Sequence, residues 1–206
     1  MYSVFEILEE ATDSAGPDLI SLDDLKLALG IGGDSEDAAL QAMITFQSRI
    51  IAEYCHRRFG RAEALETFTF DRGETMPARM ALTLSLYPVV EILEFSTAGA
   101  TALDYQLDPV SGRVWANGWC GASSVAITYS GGYDLPEEAP ARLQKAVIEA
   151  VREGRTSGTR DSSIREVQHG DTRISYFTSA LSTASAGYLS APVVDLIAPY
   201  RRLTVA

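Results

Sequence analysis

The stretch from Asp34 to Phe59 constrains the fold more than any other part of the sequence. It reads DSEDAALQAMITFQSRIIAEYCHRRF, with no glycine or proline. Asp34 or Ser35 can cap its first amides, and Gly60 follows its last turn. Apolar residues recur along it at helical spacing: Leu40, Met43, Ile44, Ile51, Tyr54 and Cys55. The pattern predicts one long amphipathic helix of about 37 Å, at roughly 1.5 Å per residue.

Shorter helical patterns lie on both sides of this stretch. Ser21 caps a run of leucines that stops at Gly30, and Pro136 or Pro140 opens a helix that stops at Gly154. The first 20 residues fit either a short helix or an extended arm.

Between Leu65 and Ser130 the hydrophobic period changes from helical to two. The alternation of Leu82, Leu84 and Leu86 indicates a sheet with one buried face, and short connections make that sheet antiparallel. Six strands are predicted, at 67–70, 81–86, 89–95, 103–107, 112–115 and 125–129.

Together these elements predict an α+β protein. We expect a small helical bundle built on the long helix (about 35–59), with an antiparallel β subdomain inserted at about 65–130. Residues 1–153 would form this body, and residues 154–206 an extended C-terminal arm. The arm includes a possible strand pair at 164–167 and 173–177 and a Ser/Ala-rich stretch at 178–190.

The arm ends in a short helical pattern that begins at Pro192. A helix of about seven residues is well below the roughly 12 to 15 that are stable in isolation. Its aliphatic side chains, Val193, Val194, Leu196 and Ile197, therefore need a partner surface, either in the same chain or in another.

Charge is unevenly distributed along the 206 residues, whose net charge is −11. Residues 1–60 carry 4 basic and 11 acidic side chains, residues 61–153 carry 7 and 13, and residues 154–206 carry 6 and 4. Such acidity argues against a nucleic-acid-binding surface, which needs clustered Lys and Arg. The weakly basic tail either docks on an acidic surface or is merely solvated. No apolar run is long enough to cross a bilayer.

Residues that could carry catalysis or hold a metal are few. His56 lies at the basic end of the long helix and His169 in a polar turn, and neither has metal-ligand spacing to Cys55 or Cys120. The carboxylate pairs all begin predicted helices, where the helix dipole explains them. We therefore expect no enzyme activity, metal or cofactor. Trp115 and Trp119 form either a binding patch or a cap on the sheet core.

Several phrases, in order, resemble the head-tail connector (adaptor, or head-completion) proteins of tailed phages and gene transfer agents. They run from about Ser21 to Arg202: SLDDLKLALGI, IIAEYCHRRF, LSLYPVVEILEF, DYQLDPVSGRVW, VAITYSGGYDLPEEAPARLQKAV and LIAPYRR.

The resemblance implies a virion structural protein of the neck that is made in the cytoplasm of the bacterial host. Copies would form a ring, typically twelve-fold, below the portal protein. The ring would extend the DNA channel, let DNA pass without sequence-specific binding, and carry the stopper or tail proteins. No membrane is involved. Alternatives are another neck or tail-terminator ring protein or, from a different class, a small hydrolase.

The resemblance also implies interaction residues. Docking to the portal or to a neighbouring subunit maps onto the C-terminal segment, at Val193, Val194, Leu196, Ile197, Tyr200, Arg201 and Arg202. The polar stripe of the long helix is a second candidate face between subunits, and it comprises Glu36, Gln41, Gln47, Ser48 and Glu53.

Overall fold

A computed structural model describes residues 2–10, 18–70, 81–97, 104–116, 123–158, 166–169, 172–175 and 189–202. The chain forms two compact units, each made of two separate segments. The first unit comprises residues 1–16 and 57–138, and the second comprises residues 17–56 and 139–206. The predicted division at residue 153 differs from this grouping, because residues 139–206 belong with residues 17–56.

The first unit contains two antiparallel sheets. A four-stranded sheet has the order β1 (Tyr2–Glu10), β2 (Ala62–Thr69), β7 (Ser124–Gly131) and β4 (Val89–Thr97). A three-stranded sheet has the order β3 (Ala81–Thr83), β6 (Arg113–Ala116) and β5 (Tyr105–Asp108). The predicted antiparallel β structure is therefore confirmed, and of the two options for the N-terminus the extended one is observed.

One face of the four-stranded sheet forms the core of this unit. In β2 and β7 buried and half-buried residues alternate along the strand, which is the period of a sheet with one covered face. The core cluster comprises Ala62, Ala64, Phe68, Phe70, Leu82, Leu84, Leu86, Val89, Val114, Val125, Ile127 and Tyr129.

A buried carboxylate ties this core to the segment that follows β3. The Glu66 carboxylate accepts hydrogen bonds from the amide (2.8 Å) and the hydroxyl (2.7 Å) of Ser85, and from the Tyr129 hydroxyl (3.1 Å). The Tyr129 oxygen in turn accepts from the Leu86 amide at 3.0 Å. Burial, followed by the nearby Glu66 charge, raises the pKa of Tyr129. The network satisfies polar groups that would otherwise be costly to bury.

The second unit is mainly helical. It contains α1 (Leu22–Leu29), α2 (Asp37–Cys55), α3 (Ala141–Gly158) and α4 (Ala191–Ile197), which continues into a 3₁₀ turn (Ala198–Tyr200). A two-stranded hairpin pairs β8 (Glu166–His169) with β9 (Thr172–Ser175). No helix in the described ranges has both the length and the apolar content needed to span a membrane.

Helix α1 begins and ends where its local signals predict. The Ser21 hydroxyl accepts a hydrogen bond from the Asp24 amide at 3.1 Å, and Gly30 ends the helix with φ 68°. The Lys26 ammonium then contacts Asp37 at 2.7 Å at the start of α2, and this hydrogen bond is the main cause of the raised pKa of Lys26.

The long helix is shorter at both ends than the predicted range of about 35–59. Glu36 occupies the N-cap position without a capping side-chain bond, and His56 ends α2 in the left-handed conformation with φ 51°. The chain then enters the first unit, so tertiary structure ends the helix before Gly60. With 18 residues, α3 is nearly as long as the 19-residue α2, so the prediction of a bundle built on one long helix is not confirmed.

Candidate interaction surfaces

The C-terminal segment lies on the second unit. Within it Val193 and Ile197 are fully buried. Val194, Leu196, Tyr200 and Arg202 are half-buried, and Arg201 is exposed. The short helix α4 therefore packs on a surface of its own chain. A partner surface in the same chain was one of the two possibilities predicted for its aliphatic side chains, the other being a surface of another chain.

Contacts to the end of α2 hold this segment in place. The Arg202 amide donates to the Cys55 carbonyl at 2.8 Å, and the buried Cys55 thiol lies 3.9 Å from the Ile197 carbonyl oxygen. The Arg201 guanidinium is 5.3 Å from the centre of the Tyr54 ring. What remains available for another protein is the exposed side of α4 and of the turn that follows it.

The candidate polar stripe on α2 does not form one exposed face. Ser48 is only 1% exposed, and its hydroxyl accepts a hydrogen bond from the Leu19 amide at 3.1 Å. Ser48 therefore faces the interior, which corrects its predicted place on the surface. Gln47 is half-buried. The burial of Ser48 follows from spacing, because it continues the series that runs through Ile44 and Ile51.

Some of the other residues in the stripe are bound to side chains of the same chain, and one is exposed. Glu36 pairs with Arg155 of α3 at 2.6 Å, and the Gln41 amide donates to Asp18 at 2.6 Å. Glu53 is exposed. Only a part of the predicted stripe is therefore available to a neighbouring subunit.

Of the two tryptophans in the predicted binding patch, only Trp115 is among the described residues. Trp115 is half-buried in β6, where it pairs with Ala81 on β3 and with Gln106 on β5. Trp119 lies outside the described residues.

In the described part of the chain, no three His, Cys, Asp or Glu side chains are grouped so that they could hold a metal ion. Cys55 is buried, and His56 is exposed at the end of α2. Glu66 is buried, and its carboxylate oxygens are engaged by Ser85 and Tyr129.

One surface was missed by the sequence reasoning, namely the outer face of the four-stranded sheet. Glu63, Leu65 and Thr67 of β2 alternate with buried residues, and no outer-face residue of β2 or β7 is buried. This face is therefore open to solvent. The signal was present in the alternation of β2, AEALETFT, but the neighbouring strands cannot be identified from that alternation.

Part of the chain matches a known protein family. Residues 19–85 match the family model described as phage gp6-like head-tail connector protein. No curated protein matches the chain.

Solved structures resemble the chain over nearly its whole length. A chain in "Neck of empty GTA particle computed with C6 symmetry" superposes with a TM-score of 0.54 at 17% identity, covering 98% of this chain and 97% of that chain. A chain in "Neck of native GTA particle computed with C12 symmetry" gives 0.51 at 16%, covering 98% of each. A third, from "Virion of native gene transfer agent (GTA) particle", gives 0.52 at 16%, with 98% and 97% covered.

At these identities the structural likeness concerns the fold. The matched residues 19–85 include α1, α2, β2 and β3. The match of residues 19–85 to the gp6-like head-tail connector model confirms, for that part of the chain, the resemblance inferred from the sequence.

Proposed function

We propose that this chain is a structural protein of a virion neck that acts as a head-tail connector adaptor. The observation that carries the proposal is the match of residues 19–85 to the gp6-like head-tail connector family. The likeness of nearly the whole fold to chains from gene transfer agent necks supports it. Such a role is structural and requires no catalytic residue.

The finer proposal is a ring of identical copies below the portal protein. The ring extends the DNA channel and offers a platform for the stopper or tail-proximal neck protein. Twelve copies are proposed, because one similar neck structure was computed with C12 symmetry and another with C6, which is a subgroup of C12. The protein acts in the virion neck and assembles in the cytoplasm of the bacterial host.

Charge supports passage of DNA without binding. The net charge is −11, and a channel wall rich in carboxylates would repel phosphate groups.

The test is assembly with the portal. Purified protein is mixed with purified portal rings and examined by electron microscopy with class averaging, and a new ring density below the portal is expected. The portal alone and the portal mixed with an unrelated acidic protein of similar size are the controls. Absence of extra density, with this protein shown to be folded by circular dichroism, would reject the adaptor role.

We further propose that the exposed side of the C-terminal segment docks on the portal or on a neighbouring subunit. Val193 and Ile197 are buried in the second unit, so their contribution is to hold α4 in place. Leu196 is half-buried and Arg201 exposed, which leaves them available to a partner. Truncating the segment would uncover the core of the unit, and a surface substitution therefore tests docking more cleanly.

Arg201→Glu is expected to lower the thermal transition by only a few degrees, since it removes an exposed contact with the Tyr54 ring that is worth about 0.5–1 kcal/mol. Co-sedimentation with portal rings is expected to fall about tenfold, since reversing a contact charge makes an attraction repulsive. Arg49→Glu is the matched control, because Arg49 is an exposed arginine on α2 outside this segment. Equal co-sedimentation of both variants with the portal, together with unchanged ring formation, would show that Arg201 is not at the docking surface.

A further inference from the structure

The outer face of the four-stranded sheet carries only negative charge. The strands β1, β2, β4 and β7 contain seven glutamates and no lysine or arginine. Glu66 points into the core, whereas Glu6, Glu9, Glu91 and Glu94 are exposed. This face therefore collects carboxylates that no basic residue of the same sheet offsets.

Strand register arranges these side chains in rows across the sheet. One row is uncharged: Val4, Thr67, Ala126 and Ser96. The next row is Glu6, Leu65, Thr128 and Glu94, and a third is Glu9, Glu63, Ser130 and Glu91. Acidic residues thus flank a half-buried centre of Leu65 and Thr128. Each row spans three strand spacings, about 14 Å.

The arrangement has an electrostatic cost that a basic partner would relieve. Glu9 and Glu63 are directly opposite each other on β1 and β2, and like charges at such positions destabilise a sheet. Within the described residues, neither forms an ion pair.

Exposed aliphatic side chains border the same sheet. Leu8 on β1, and Val90 and Leu93 on β4, are the extra residues at irregularities in the register of the two edge strands, and all three are about half exposed. Bulges on edge strands commonly discourage pairing, but here each one presents an apolar side chain to solvent. Apolar contact and charge attraction are therefore both available at this surface.

The chain itself carries a complementary surface on α3. Arg142 and Lys145 are exposed, lie three residues apart on one side of the helix, and have no ion-pair partner among the described residues. Arg152 lies further along the same exposed side, paired with Glu149 at 2.8 Å. From Arg142 to Arg152 the helix rises about 15 Å, which is close to the width of the sheet face.

We propose that the outer sheet face of one copy binds the exposed side of α3, at Arg142 and Lys145, of a second copy. This inference rests on the proposed function. The two surfaces differ, so the contact propagates head to tail, and the proposed ring requires that the rotation between copies closes. The contact joins the first unit of one copy to the second unit of the next. In each copy, the first unit therefore supplies one side of the subunit interface and the second unit supplies the other side.

Charge reversal on each side tests the contact. Glu91→Lys with Glu94→Lys, and separately Arg142→Glu with Lys145→Glu, are each expected to lower the ring population about tenfold or more, measured by native mass spectrometry with and without portal. The four substitutions combined in one chain are expected to restore rings, because the charges are then exchanged. Asp104→Lys with Glu137→Lys, at exposed acids outside the sheet face, is the matched control.

The outcomes separate this inference from the proposed function. If the wild-type protein forms no ring under either condition, both fail. If the wild type forms rings and the reversed variants do too, the adaptor role stands and the contact is wrong. A third outcome is that Glu91→Lys with Glu94→Lys abolishes rings, Arg142→Glu with Lys145→Glu does not, and the four combined substitutions do not restore them. The outer sheet face would then bind another basic segment, and α3 would be excluded.

Discussion

Replacing Ile51 by aspartate is expected to abolish the cooperative thermal unfolding of the second unit. Ile51 is fully buried on α2, between Ser48 and Cys55 in the series that faces the interior. A carboxylate placed there loses its hydration without gaining a partner, at a cost of several kcal/mol. Because whole domains are stable by only about 5–15 kcal/mol, most of the folded population of this unit would be lost.

Ala42→Asp is the matched control, since Ala42 is exposed on the same helix. Helical circular dichroism followed during heating distinguishes the two variants. Ala42→Asp should melt within a few degrees of the wild type, whereas Ile51→Asp should show low initial helicity and no sharp transition. A normal transition for Ile51→Asp would mean that this side of α2 does not face the core.

Gly132→Ala is expected to destabilise the first unit by roughly 3 kcal/mol or more. Gly132 has φ 94°, a conformation that residues with a Cβ rarely adopt. An added Cβ would lie 2.5 Å from the Gly60 carbonyl oxygen and 2.7 Å from its carbon. Both are backbone atoms, so no side chain can rotate away to relieve the clash.

Gly154→Ala is the control, because it is expected to raise the stability rather than lower it. Nothing lies within 4 Å of a Cβ added to Gly154, which is in α3. Gly154→Ala should therefore stabilise its helix by about 0.5–1 kcal/mol. Urea unfolding measures both, with tryptophan fluorescence reporting on the first unit, whose range 57–138 includes both tryptophans, and helical circular dichroism reporting on the second. A Gly132→Ala protein as stable as the wild type would exclude close packing at the turn after β7.

The sequence predicted the ends of a helix where capping residues next to those ends determine them. Ser21 and Gly30 bound α1 because capping and a left-handed glycine act within a single turn. The end of α2 could not be read in this way. The left-handed conformation is uncommon for any residue other than glycine, and His56 adopts it where the chain leaves the helical unit.

Features that depend on contacts between residues far apart in the sequence could not be predicted. The N-terminal residues fitted a helix or an arm equally well, and only pairing with β2 makes β1 a strand. For the same reason the acidic face was missed, because Glu6 and Glu94 come into one row only through the strand order. The short C-terminal helix was predicted from Pro192 and its aliphatic residues, but its partner surface depended on tertiary packing.

The hydrogen bond between the Arg202 amide and the Cys55 carbonyl joins two distant parts of the sequence within the second unit. The chain crosses from the second unit to the first between His56 and Arg57, one residue after the carbonyl that Arg202 holds. The last described residue of the chain is therefore held to the final turn of α2, one residue before the backbone leaves the second unit.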